Sequence, residues 1–212
     1  MGVITNILKG VLEIDRSDIS YLVPELEYDE TDLSVMRPVQ FSNWTIVKQK
    51  CEEGSVIRDF FEGIDDERFM VIHIDTAERF EIGYDVNIPA KSSTANDIHQ
   101  VRDNVVNKLK SWLGGNMNER ITFAAAVEET EGWLLTIAEN KPETGLLTNP
   151  KERFDRLLQR SLRDKDKKRI FQMDAFDQGY EKSRIFRKPK DLNLCRTRNK
   201  SLDLFCGELE SL

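Results

Sequence analysis

The stretch FMVIHIDTAE, residues 69–78, decides the fold. Five of its first six residues are apolar, and it ends in Asp75-Thr76-Ala77-Glu78. A short apolar run between polar flanks reads as a strand buried on both faces of a parallel sheet. In open α/β sheets the ligand sits beyond the carboxyl ends of the strands, where the chain turns off toward a helix. Asp75 and Glu78 stand at such an end, and carboxylates carried there can bind a hard divalent cation through oxygen. The plainer alternative is that Asp75 caps a turn.

Working outward, other segments take up the same alternation. The first 18 residues suggest a short helix with Ile4, Ile7, Leu8, Val11 and Leu12 on one side. Ile19–Val23, stopped by Pro24, reads as a strand, and so does Trp44–Val47. Ser55 is a plausible N-cap for a helix over 55–62 whose buried stripe is Val56, Ile57, Phe60 and Phe61, with Gly63 as its stop. Residues 77–95 are polar and without period, long enough for a functional loop. The best helix runs from Asp97 to Leu113, where Ile98, Val101, Val105, Leu109 and Trp112 recur at helical spacing before Gly114-Gly115. Ile121–Val127 is another buried strand, with alanines small enough to let a helix pack close. Pro150 introduces an amphipathic helix, and Ser201–Leu209 a closing one. Strands alternating with helices give an α/β fold: a mainly parallel sheet flanked by helices.

The 212 residues fit one domain with an appendage, here an α/β core over 1–149 and a basic helical extension over 150–212. No run approaches the roughly 20 apolar residues of a membrane span, and nothing at the N-terminus reads as a secretory signal. Three cysteines without metal-ligand spacing suit a reducing cytoplasm. Charge is unevenly placed. Residues 151–200 hold 17 Lys/Arg against 8 Asp/Glu, whereas residues 1–150 hold 14 against 27. An acidic body with a basic C-terminal third suggests a cation site on one part and a polyanion contact on the other. A solvated helix face is the competing explanation for the basic residues.

Three carboxylate clusters fall near the ends of three apolar runs: Glu27/Asp29/Glu30, Asp75/Glu78 and Glu128/Glu129/Glu131. If those runs are neighbouring strands, the clusters converge on one edge. Without a matching His/Cys set they favour Mg²⁺ or Mn²⁺ over zinc. His73 lies inside the strand and His99 in a helix, and the simplest role for His73 is a core histidine satisfied locally.

In VIHIDTAE (71–78), FAAAVEETEGWLL (123–135) and NKSLDLFCGEL (199–209) the chain resembles the Toprim family of metal-dependent phosphoryl-transfer domains. Among its members the chain is most similar to small stand-alone proteins linked to phage defence. The resemblance implies a Toprim-like (Rossmann-like) fold and phosphodiester hydrolysis on DNA or RNA with Mg²⁺ or Mn²⁺. Carried over residue by residue, it implies catalytic roles for Glu27, Asp75 and Glu131. Glu27, Glu30, Asp75, Glu78 and Glu131 become candidate metal ligands. Glu30 competes with Glu27 for the first acidic position, and the usual glycine after that position is Tyr28. The family's second Asp falls on Ala77, a departure that removes one ligand. In the same reading, Arg184, Arg187, Lys188, Lys190, Arg196 and Arg198 hold a nucleic-acid backbone without reading sequence. The alternatives are a non-catalytic Toprim-like module that binds a partner such as an ATPase, and an α/β interaction protein whose carboxylates are solvated.

Overall fold

A strand whose side chains alternate between two buried faces needs cover on both of them. The computed structural model describes residues 2–22, 44–62, 68–86, 94–147, 149–161, 163–171 and 175–212. Within them β1 (Met70–Asp75) pairs in parallel with β2 (Ile121–Ala126), Met70 beside Ile121 and Asp75 beside Ala126. The protein is mixed α/β and mostly helical, with this two-stranded parallel sheet among the described residues.

The helices are α1 (Gly2–Leu12), α2 (Trp44–Glu53), α3 (Ser55–Phe61) and α4 (Ala95–Leu113), then α5 (Glu131–Ala138) and α6 (Pro150–Ser161). They continue through α7 (Asp164–Phe171), α8 (Ala175–Lys182) and α9 (Pro189–Arg196) to α10 (Lys200–Leu209). The strand period of two divides the core. Met70, Ile72 and Ile74, with Ile121, Phe123 and Ala125, face Val105, Leu109 and Trp112 of α4 and Cys51 of α2. Ala124 and Ala126 face the other way, onto Trp133 of α5, Leu202 and Phe205 of α10, and α1. The small alanines do let a helix approach, and it is α10 that packs there.

The helix over 55–62, the long helix ending at Leu113 and the parallel pair of apolar strands all form. Helix α4 begins two residues earlier than its periodicity suggests, because Thr94 and Asp97 make a reciprocal capping box. Gly54 at φ 66°, not Ser55, is the N-cap of α3. Two strand expectations are corrected. Trp44–Val47 is the first turn of α2: Trp44 stacks on Tyr84 and Trp112, and Trp44, Val47 and Cys51 share one helical face, which outweighs the β-branched run. Ile19 is extended, at φ −110° and ψ 115°, yet residues 19–22 join no ladder among the described residues. Their anchor is a side-chain hydrogen bond between Thr5 Oγ1 and Tyr21 Oη, 2.6 Å apart. Val23, the end of that expected strand, lies outside the described residues. No helix among the described residues is long and apolar enough to cross a membrane.

The C-terminal segments are stitched to the rest through buried polar groups. The Trp133 indole N–H donates to Ser201 Oγ at 2.8 Å, and its ring stacks on Phe205. Arg102 of α4 donates to the Phe123 carbonyl and pairs with Glu208 of α10 at 2.7 Å, binding helix, strand and closing helix together. Asn6 of α1 donates to Ser183 Oγ and the Tyr180 carbonyl, and accepts from Arg187.

Helix α1 can approach so closely because residue 10 has no side chain. A Cβ there would sit 1.9 Å from the Phe186 carbonyl oxygen. Gly10→Ala should therefore destabilise the protein although alanine is the better helix former by about 1 kcal/mol. Forcing the backbones apart costs about 1–3 kcal/mol or more. Urea denaturation should show a lower midpoint, and an unchanged or raised one would disprove the close contact.

Candidate functional site

The ends of β1 and β2 are locked together by the residue after Asp75. Thr76 N–H donates to the carbonyls of Ala126 (3.0 Å) and Glu128 (3.1 Å), and its hydroxyl accepts from Glu128 N–H at 2.8 Å. Glu128 adopts a left-handed φ of 62°, a strained conformation for a residue with a side chain. Its carboxylate is held at 2.9 Å by Arg79, only 3% exposed, which also donates to the Thr76 carbonyl. Glu128 is thus neutralised inside the clasp. The following chain turns back tightly, and Tyr84 Oη donates to the Asp75 carbonyl.

This clasp sets Thr130 against Asp75. Asp75 Oδ1 accepts the Thr130 backbone N–H at 3.0 Å and its hydroxyl at 2.6 Å. His73, two residues earlier on the same strand face, places Nε2 2.9 Å from Thr130 Oγ1. Since the Thr130 hydroxyl proton goes to Asp75, the imidazole donates from Nε2–H. That assigns the neutral Nε2–H tautomer from the hydrogen-bond network. Burial lowers the His73 pKa to about 3, so its 3.6 Å approach to Asp75 is not an ion pair near neutral pH. His73 is satisfied locally, as expected, but by a residue that belongs to the site.

Burial pushes the Asp75 carboxyl up to about 7; the Thr130 hydroxyl opposes that rise, and the nearby Glu131 carboxylate adds to it. Glu131, the first residue of α5, is itself raised, mainly by burial and further by Glu129. Glu78 is exposed on the turn after Ala77, and burial with Glu81 and Glu129 raises it too. Asp75, Glu78, Glu129 and Glu131 therefore share one electronegative edge. Asp75, Glu129 and Glu131 are partly buried there, and Glu78 is exposed.

Other expected residues fall elsewhere. Glu27 and Glu30 lie outside the described residues. Among the described residues, no group of three or more His, Cys, Asp or Glu is placed to hold a metal ion. The basic residues are mostly engaged within the chain. Arg187 donates to Asn6 and stacks over Tyr180, and Arg198 donates to the Thr136 carbonyl at 2.7 Å. Arg196 binds Asp203 and Glu210, and Arg184 pairs with Glu181. Lys188 and Lys190 are exposed at the start of α9.

Thr130 and Arg79 were not singled out by sequence. The spacing His73-x-Asp75 did carry a signal, because residues two apart on a strand share a face.

The raised carboxyl has a consequence for stability. Folded Asp75 keeps its proton up to about pH 7, whereas the unfolded group loses it near 3.8. Stability is therefore lost as pH rises through that window, in the absence of a cation. Asp75→Asn removes the effect. In metal-free buffer its stability relative to wild type should increase from pH 4 to pH 8, as read by urea denaturation at each pH. A difference independent of pH would mean that Asp75 titrates normally. Comparison with protein-family models, curated proteins and solved structures finds no match to this chain.

Proposed function

We propose that the protein is a Toprim-like, Mg²⁺- or Mn²⁺-dependent phosphoryl-transfer protein that hydrolyses phosphodiester bonds in nucleic acid. One observation carries this reading: Asp75 ends β1 beside the end of β2, where α/β folds bind their ligands, and Glu131, which opens the helix after β2, is near enough for its charge to raise Asp75. The donor set suits a hard cation. Both groups are carboxylates, both are raised above their ordinary range, and Asp75 Oδ2 accepts no hydrogen bond from the described residues. Asp75 and Glu131 would hold the cation, with Glu78 at the rim and Glu27 or Glu30 as the further acidic ligand the resemblance implies. When bound, the cation supplies phosphate charge neutralisation and an acidified water. The chain's own part is to hold two carboxylates beside each other, so that their repulsion is relieved only by a cation or a proton. In this reading Glu131 would orient a water, and the exposed Lys188 and Lys190 would supply a backbone contact for DNA or RNA.

A second reading has its own support. Ala77 stands exposed where the family carries an Asp, and most of the basic residues bind within the chain. These observations favour a non-catalytic module acting with a partner such as an ATPase, in phage defence.

Mn²⁺ at about 100 times its dissociation constant should stabilise the wild type by about 2.7 kcal/mol. For a chain of this size that raises Tm by about 5–10 °C. Asp75→Asn should abolish the shift and any Mn²⁺-dependent cleavage of a labelled oligonucleotide. Cation binding without cleavage would favour the partner reading, and the absence of any shift would sink the cation site itself.

If Lys188 and Lys190 touch phosphates, replacing both with Ala should weaken binding equally across sequences. It should also reduce the slope of log affinity against log salt by about 2. Unchanged affinity and slope would return these lysines to a solvated helix end.

A further inference from the structure

Helix α6 sorts its charges by face. Phe154 is buried, and Leu157 and Leu158 are half-buried, against the core that α5 shares. Arg153 pairs with Glu139 at 2.6 Å and Lys182 with Asp155 at 2.9 Å, so these ions are compensated within the chain. Lys151, Arg156 and Arg160 are exposed, and none of them forms an ion pair among the described residues. Arg156 donates only to the Glu152 carbonyl of its own helix, at 3.3 Å, and Glu152 is the exposed acid of α6. Arg184, Arg187, Arg196 and Arg198, by contrast, all have partners within the chain. The α6 row also borders the acidic edge. Helix α5, which opens with Glu131, packs on α6, and the charges of Lys151 and Lys182 act on the Glu131 carboxyl against its burial. Lys182 is engaged by Asp155, whereas Lys151 is exposed. We propose that Lys151, Arg156 and Arg160 form the surface that holds the phosphodiester backbone of a nucleic acid beside the Asp75–Glu131 edge. The inference rests on the nucleic-acid reading above but not on a bound cation, and it places the main backbone contact on α6 rather than α9. Arg156 and Arg160 stand one helical turn apart, about 6 Å, on one face. A guanidinium takes phosphate oxygens in pairs, and one without an acidic partner gives up nothing to do so. Such contacts hold a strand without reading its sequence.

The probe is a fluorescently labelled single-stranded DNA oligonucleotide of mixed sequence, titrated with the full chain at low salt in EDTA and followed by anisotropy. Lys151→Gln, Arg156→Gln and Arg160→Gln together should weaken binding about tenfold or more and reduce the slope of log affinity against log salt by about 2, from three contacts at about 0.7 each. Replacing Lys188 and Lys190 with Ala should weaken it less. Gln159→Lys adds a charge at an exposed position on the same side of α6, and it should strengthen binding and steepen the slope by about 0.7. Wild type that binds the oligonucleotide, with affinity and slope unchanged in the triple Gln variant, would overturn the proposal and leave the nucleic-acid reading standing. Wild type that binds no oligonucleotide would overturn both. Preference for phosphatidylglycerol vesicles over the oligonucleotide, lost in the same variant, would assign the row to a membrane surface and overturn the proposal as well.

Discussion

The parallel pairing of β1 with β2, in the register that puts Asp75 beside Ala126, is the constraint on which the rest depends. Two parallel strands alone leave four faces and edges to cover, and most of the chain is spent on that. Helices α2, α3 and α4 cover one face, while α1, α5 and α10 cover the other. The strand period then sorts function from packing. Met70, Ile72 and Ile74 go into the first core, so His73 and Asp75 must go to the second face, beside α5. A register slip of one residue would bury Asp75 among Trp112, Leu109 and Phe123, where an unpaired carboxylate is intolerable.

The strands were legible because both are short, apolar and bounded by polar residues, and α4 because its stripe, from Ile98 to Trp112, runs for about four turns. The strand expectation for Trp44–Val47 failed for an identifiable reason. Thr45, Ile46 and Val47 are good strand formers, but Trp44 has two aromatic rings to stack on, and it reaches them from a helix whose inward face continues to Cys51. Long-range aromatic packing is invisible in a four-residue window. At the site, the acidic residues were legible as a pattern and their status was not. Glu128, Glu129 and Glu131 look equivalent in sequence, yet one is locked to Arg79 and another is raised beside Asp75. What separates them is the left-handed turn at Glu128, which sends the following residues back over β1.

The electrostatics of Asp75 are a competition with two opposed inputs. Thr130 offers two hydrogen bonds to the ionised form, an arrangement that alone would pull a carboxylate down. Burial and Glu131 outweigh it and leave the group raised. No cationic side chain of the described residues is paired with Asp75 Oδ2, although Arg79 is spent on Glu128 only a few residues away. The arrangement keeps an electronegative edge uncompensated, which is how binding sites differ from structural ion pairs.

The C-terminal third shows why a run of basic residues is weak grounds for a polyanion surface. Its net charge is strongly positive, yet the guanidinium groups of Arg187, Arg196 and Arg198 are already engaged by Asn6, Glu210 and the Thr136 carbonyl. Arginine serves this use well, because its planar fork satisfies several acceptors at once and its stem adds apolar cover. Of the six basic residues expected to meet a nucleic acid, Arg184, Lys188 and Lys190 are exposed, and Arg184 is paired with Glu181. Net positive charge in this segment therefore measures how its helices are fastened to one another and to neutral acceptors of the preceding chain as much as what it attracts. Any polyanion contact there is narrower than the charge count suggests, because each arginine already engaged within the chain would have to give up that partner to take a phosphate.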